Sequence, residues 1–138
     1  MRKICLAIIS AVLLLANTLF ASAVQIDTIM PMYDNINSVY ALIEIDESSG
    51  LTECTGMIAA KYTCPVSVTM KLQMKIDDDW STLETWRAYG NWSATYDTQY
   101  VVYSGYEYRV FVLGYVYDNN GNIIESGSAV HEVNYPKQ

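Results

Sequence analysis

From Val66 to Asp77 the chain alternates without a break. Val66, Val68, Met70, Leu72, Met74 and Ile76 are apolar, and Ser67, Thr69, Lys71, Gln73, Lys75 and Asp77 between them are polar. A strand points successive side chains to opposite faces, so this period predicts a strand with one buried face. Wound as a helix, the same apolar residues would scatter around the axis. The period recurs on either side. Ser38 to Asp46 sets Val39, Ala41, Ile43 and Ile45 against Tyr40, Glu44 and Asp46, with Leu42 the one apolar residue on the outer side. Leu51 to Ala60 sets Cys54, Gly56 and Ile58 against Glu53, Thr55 and Met57. Trp80 to Tyr89 places Trp80, Thr82, Glu84 and Trp86 on one side and Leu83, Thr85 and Arg87 on the other, and Ser93 to Tyr103 carries Ala94, Tyr96, Tyr100 and Val102 inward.

The strongest unit runs from Tyr103 to Ser126. Tyr106 to Tyr117 is a long strand of aromatic and β-branched residues. Asp118-Asn119-Asn120-Gly121 is a turn of residues that tolerate the left-handed backbone, and Ile123 and Ile124 open a return strand to about Val133. Glu47–Gly50, Lys61–Pro65, Asp77–Asp79 and Gly90-Asn91 punctuate the other strands. Seven alternating strands with turn signals roughly every ten residues and no helix predict an all-β, seven-stranded antiparallel β-sandwich. It should occupy residues 36–134, preceded by a flexible leader over 24–35 and followed by a frayed tail over 135–138.

The first 23 residues are set apart. Arg2 and Lys3, an apolar run from Ile4 to Ala16, and the small residues Ala21-Ser22-Ala23 have the three regions of a secretory signal peptide of bacterial type, with a mature start at Val24. The apolar run is shorter than the roughly 20 residues that span a bilayer. Loss of Arg2 and Lys3 leaves six cations against 15 acids, a net charge of −9. That balance predicts a secreted protein without affinity for nucleic acid or anionic membrane, both of which select basic surfaces.

Candidate chemistry is sparse. Export permits a disulfide between Cys54 and Cys64, but Cys54 reads as mid-strand and Cys64 as a strand start; the alternative is that Cys54 is a small buried apolar residue. Two cysteines and the single His131 fall short of a four-ligand zinc site, and Asp77-Asp78-Asp79 reads as a solvated turn rather than a calcium loop. No Gly-x-Ser-x-Gly elbow accompanies His131, and no two carboxylates are paired by position. The reading is a non-enzyme with no catalytic residue, cofactor or metal.

Ser104-Gly105-Tyr106-Glu107-Tyr108-Arg109-Val110 resembles the entry to strand F of fibronectin type III domains, an immunoglobulin-like sandwich in which a Gly-x-x-Tyr-x-Val run carries the tyrosine corner. The resemblance implies that the hydroxyl of Tyr108 returns to nearby backbone. A second resemblance covers most of the chain after residue 23. Thr52, Cys54 and Gly56, then Leu72-Gln73 with Trp80-Ser81-Thr82, Trp86, Gly105 to Val110, and Tyr117 to Glu125 are similar to a family of small secreted proteins of Gram-positive anaerobes. That likeness implies export and the sandwich fold and carries no activity. It includes Cys54 but not Cys64, which counts against a bridge.

The aromatics stand out: 12 Tyr, 3 Trp and one of the two Phe lie beyond residue 23. The strand from Tyr106 is apolar on both faces, with Tyr108, Val110 and Val112 on one and Phe111, Leu113, Tyr115 and Tyr117 on the other. One set belongs to the core. The other is either covered by neighbours or the leader, or is a surface for a protein or glycan partner. Two functions follow. One is a secreted, non-catalytic interaction or surface module binding through Arg109, Phe111, Leu113, Tyr115 and Tyr117. The other is a small carbohydrate-binding module stacking sugars on Trp80, Trp86 and Trp92.

Overall fold

The computed structural model describes residues 31–138. The expected signal peptide, and the leader up to residue 30, lie outside them. Among the described residues there are seven strands and no helix: β1 Ile36–Ile45, β2 Leu51–Ala60, β3 Pro65–Ile76, β4 Asp79–Asn91, β5 Ser93–Val101, β6 Tyr106–Tyr117 and β7 Ile123–Tyr135. All pairings are antiparallel, in a three-stranded sheet β1-β2-β5 and a four-stranded sheet β4-β3-β6-β7. The sheets face each other, β1 lying over β7 and β6, and β5 over β4 and β3. This is the expected antiparallel sandwich.

The turns follow from local chemistry. Asp77 and Asp78, at φ 50° and 70°, close the Ile76–Asp79 pair as a two-residue loop whose twist suits a hairpin. In the β6–β7 turn the Asp118 carboxylate accepts the N–H groups of Asn120 and Asn122 and the Asn122 side-chain amide. The bond from the Asn122 side chain leads the effects that hold this carboxyl below its usual range.

The core is the contact between the sheets. Val66, Val68, Met70 and Leu72 of β3 and Tyr108, Val110, Val112 and Val116 of β6 are buried, and they meet Ile43 of β1 and Cys54 and Ile58 of β2. Tyr108 makes the expected corner: its hydroxyl donates to the Tyr103 carbonyl at 2.7 Å and accepts the Tyr103 N–H at 3.2 Å. Two glycines let the layers close. A Cβ on Gly56 would lie 3.0–3.1 Å from Val112 and Met70, and one on Gly114 would lie 2.6 Å from Cδ1 and 3.0 Å from Cβ of Ile58.

Several expectations are corrected. Ile76 is exposed, at the last position of β3 beside the Asp77-Asp78 loop. Tyr135 is core rather than tail. It pairs with Tyr106, and its hydroxyl donates to the Glu47 carbonyl at 2.8 Å. The last residues of the expected leader are tied down: the Glu125 carboxylate on β7 accepts the N–H groups of Asp34, Asn35 and Ile36, each at 2.7 Å, and Lys61 Nζ donates to the Tyr33 carbonyl. Cys54 and Cys64 are both buried and unbridged. Six residues of β2, about 20 Å at the rise of a strand, separate Cys54 from Ala60. Ala60 is the end of β2 that shares Trp92 with Cys64 through main-chain bonds. A disulfide needs Cα atoms within about 7 Å. Burial pushes the Cys54 thiol up to about 12, so it behaves as an apolar side chain.

Two predictions follow from this packing. Gly114→Ala should cost about 1–3 kcal/mol by overpacking, and adding Ile58→Val, which removes the clashing Cδ1, should recover part of it. Urea melts of the single and double variants check this; a neutral Gly114→Ala would mean the layers are not in contact there. The second concerns acid. Desolvation raises the Glu125 carboxyl, but the Asp34, Asn35 and Ile36 amides and Lys61 outweigh it, leaving the carboxyl below its ordinary value of 4.5. A lowered folded-state pKa contributes stability above the unfolded-state value that is lost as pH falls through the folded one. Glu125→Gln should therefore lower Tm at neutral pH, with the gap to wild type closing as pH falls through the lowered folded-state value; a gap independent of pH would refute the charge-based account.

Candidate binding face

The outer face of the four-stranded sheet follows from its register. On β3 the outward residues are Ser67, Thr69, Lys71, Gln73 and Lys75. Beside them on β6 stand Tyr115, Leu113, Phe111, Arg109 and Glu107, in that order. On β4 the partners are Tyr89, Arg87, Thr85, Thr82 and Trp80. On β7 they are Ser126, Ser128, Val130, Glu132 and Asn134. Arg109, Phe111, Leu113, Tyr115 and Tyr117 thus share one face of β6, as expected, and all five are half-buried. Among the described residues no further element lies over them. Their partial cover comes from neighbours within the sheet.

One row is a polar ladder across all four strands, hydrogen-bonded from β4 through β3 to β6 and ion-paired to β7. Gln73 Nε2 donates to Thr82 Oγ1 at 3.0 Å, Arg109 Nε donates to Gln73 Oε1 at 2.7 Å, and the Arg109 guanidinium lies 3.7 Å from a Glu132 oxygen. The guanidinium also sits 4.3 Å over the Trp80 ring and 5.7 Å from the Phe111 ring. A planar cation stacked on indole is a favourable pairing. Arg109 is therefore committed to its own sheet. In the next row Lys75 pairs with Glu107 at 3.0 Å. At the other end of the face Ser67 Oγ and Tyr117 Oη are 2.8 Å apart.

The tryptophans are not brought together. Leu72 pairs with Glu84 but Gln73 pairs with Thr82, so Leu83 is an extra residue, a β-bulge. One inserted residue reverses the phase of the strand. Trp80 and Thr82 consequently face outward, while Trp86 faces inward opposite Met70. The expectation that Trp80 and Trp86 share a side is corrected. Trp86 stacks on Tyr96 at 6.2 Å and meets Tyr100 edge-on at 6.4 Å, joining β4 to β5 across the rim of the sandwich. Trp92, at φ 79°, is the one residue between β4 and β5, where the chain changes sheets. Its N–H donates to the Cys64 carbonyl and its carbonyl accepts from the Ala60 N–H, each at 2.8 Å. Its ring is exposed.

Reading by periodicity passes over four residues of this face. Ser67, Thr69, Lys71 and Arg87 look like ordinary wet positions one strand at a time, and only the register sets them beside Tyr89, Leu113 and Tyr115 as the lining of a groove. Their signal is the uninterrupted polar set of β3 lying between two strands rich in aromatics. His131 also has a role that sequence reading missed. Its Nδ1 accepts the Ile43 N–H at 3.2 Å, closing the β1 side of the sandwich, and it is not grouped with a nucleophile or metal ligands among the described residues. No protein-family model matches the chain, and no curated protein shows significant similarity to it.

The ladder generates a stability prediction. Arg109→Ala leaves the buried Gln73 carbonyl oxygen without its donor, so it should cost about 1–3 kcal/mol. Arg109→Lys keeps the charge but not the flat stack on Trp80, and should recover only part. Chemical denaturation of both variants tests this; full recovery by lysine would mean that charge alone matters.

Proposed function

We propose that this chain is an exported, non-catalytic binding domain whose ligand docks on the outer face of the β4-β3-β6-β7 sheet. One observation carries the reading: Phe111, Leu113, Tyr115 and Val130 stand together on that face, only half-buried or exposed, with no other element over them among the described residues. Side chains of this size on an open sheet face lose apolar area to water and regain it when a partner covers them. The charge pattern of the first 23 residues and the likeness to small secreted proteins support export. The three-plus-four strand order and the Tyr108 corner support a fibronectin type III-like, immunoglobulin-like type of sandwich. The alternative of a sugar platform built from Trp80, Trp86 and Trp92 lacks a common surface, since the bulge at Leu83 turns Trp86 inward and Trp92 sits at the sheet crossing.

Phe111→Ser with Tyr115→Ser tests the reading, because half-exposed positions contribute little to folding. The double variant should keep the circular dichroism spectrum and a melting temperature within a few degrees of wild type. It should lose binding to whichever member of a polysaccharide and cell-surface protein panel the wild type retains. An unfolded double variant, or one that binds as well as wild type, would sink the proposal.

A further inference from the structure

The charges of this chain are unevenly placed. Residues 31–138 contain six cations, Lys61, Lys71, Lys75, Arg87, Arg109 and Lys137, against 14 acids. Four of the six cations, Lys71, Lys75, Arg87 and Arg109, lie on the outer face of the four-stranded sheet, with only Glu107 and Glu132 among them. Those two acids are engaged by Lys75 and Arg109. Lys71 and Arg87 have no carboxylate partner among the described residues. They are also neighbours: Lys71 pairs with Thr85, so Arg87 stands diagonally across the β3–β4 pair, roughly 7–8 Å away at such a position. Like charges on neighbouring positions of one face raise each other's energy, and an anion between them relieves it.

The groove around them has a definite shape. Its floor is Ser67 and Thr69 of β3, both short. Its walls are Tyr89 and Arg87 on β4 and Tyr115 and Leu113 on β6, with Lys71 at one end. Tyr89, opposite Ser67 at the end of the groove away from Lys71, is 75% exposed. Resting on the binding-face reading above, the geometry points to an acidic polysaccharide as the ligand, with one carboxylated sugar ring seated in this groove. The apolar face of the ring packs against Tyr89 and Tyr115, ring hydroxyls meet Thr69, since the buried Ser67 hydroxyl is already engaged by Tyr117, and the carboxylate bridges Lys71 and Arg87. Tyrosine suits this because its ring is a large, rigid, amphipathic contact that costs little entropy to fix. Arginine suits it because its fork matches a carboxylate.

An acidic peptide would satisfy the two cations but little else. Peptides bind sheets mainly by adding a strand at an edge. β3 is a central strand whose main chain is already paired on both sides, by β4 and β6, so a peptide would offer side chains alone.

Isothermal titration at low and physiological salt, with polygalacturonate, alginate and hyaluronan as probes, tests the inference. At least one should bind, with affinity falling as salt rises. Fully methyl-esterified polygalacturonate, the same chain without charge, should bind at least 10-fold more weakly if polygalacturonate is the ligand; if it is alginate or hyaluronan, its carboxyl-reduced form should. Poly-L-glutamate should not bind measurably. Lys71→Gln with Arg87→Gln should reduce affinity about 10-fold or more with an unchanged melting curve, and Tyr89→Ala should weaken it independently of salt. Equal binding of poly-L-glutamate, undiminished binding of the uncharged polymer, or no binding to any of the three polysaccharides overturns the inference. If the Lys71/Arg87 variant binds like wild type while Phe111→Ser, which lies outside the groove, abolishes binding, the acidic-sugar reading falls and the binding face stands. If neither matters, both fall.

Discussion

The fold depends on how closely its two sheets approach at Gly56 and Gly114. Stacked sheets normally stand about 10 Å apart, with side chains from both filling the space. Here each sheet omits one side chain where the other presents a bulky one. Met70 and Val112 fill the place above Gly56, and Ile58 fills the place above Gly114. The fit of knob into gap locks the lateral position of the layers, because sliding by one residue would set a side chain onto a side chain. Everything on the outer face inherits that position: β3 and β6 can turn Lys71, Phe111, Leu113 and Tyr115 outward only because Met70, Val110 and Val112 are held inward.

Periodicity made the central strands legible. β3 is buried on one face and bordered on both sides, so its alternation is clean and its inward set from Val66 to Leu72 reads directly from the chain, whereas β6 is apolar on both faces and only the structure shows that Tyr108, Val110 and Val112 are its inward set. The tyrosine corner was legible for a different reason, a short motif with one geometry. β4 was not legible. Its pattern around Leu83 fits an unbroken strand as well as a bulged one, and nothing local says where a strand inserts a residue. That decision is made by the neighbour: Leu72 must stay inward and Gln73 must reach Thr82, so β4 absorbs the mismatch. The price of missing one residue is the whole face, with Trp86 moving from candidate sugar platform to rim of the core.

The edges of the sandwich were likewise invisible in the sequence, because they are made by contacts between residues roughly 90 positions apart. Glu125 looks like one more surface acid of the β6–β7 hairpin, yet it gathers three consecutive amides at the entry to β1. His131 looks like a lone exposed histidine, yet its ring accepts an amide from the free edge of β1. Tyr135 looks like a frayed end, yet it is buried and reaches Glu47. In each case a polar atom from β7 or its end satisfies a main-chain group that would otherwise be left without a partner at the sandwich margin. On the opposite margin the Trp86–Tyr96–Tyr100 cluster joins β4 to β5 through ring packing instead.

Under the proposed reading, these margins leave the outer face of the four-stranded sheet open to a ligand. The inner faces are filled, and the β1 edge is occupied by β7 side chains. On the outer face itself, Arg109 is held by Gln73, Glu132 and Trp80, and Lys75 by Glu107. Subtracting these commitments leaves Lys71, Arg87 and the tyrosine walls around Ser67 and Thr69. In a domain with more than twice as many acids as bases, a pair of adjacent cations without local carboxylates is costly to the free protein by mutual repulsion, while acids elsewhere on the surface keep other anions at a distance. A ligand reaching this groove must therefore bring enough apolar and hydroxyl contact to overcome the repulsion of the whole molecule. A polymer of carboxylated sugars would do so by adding many weak contacts in series, whereas a small isolated anion has only the charge.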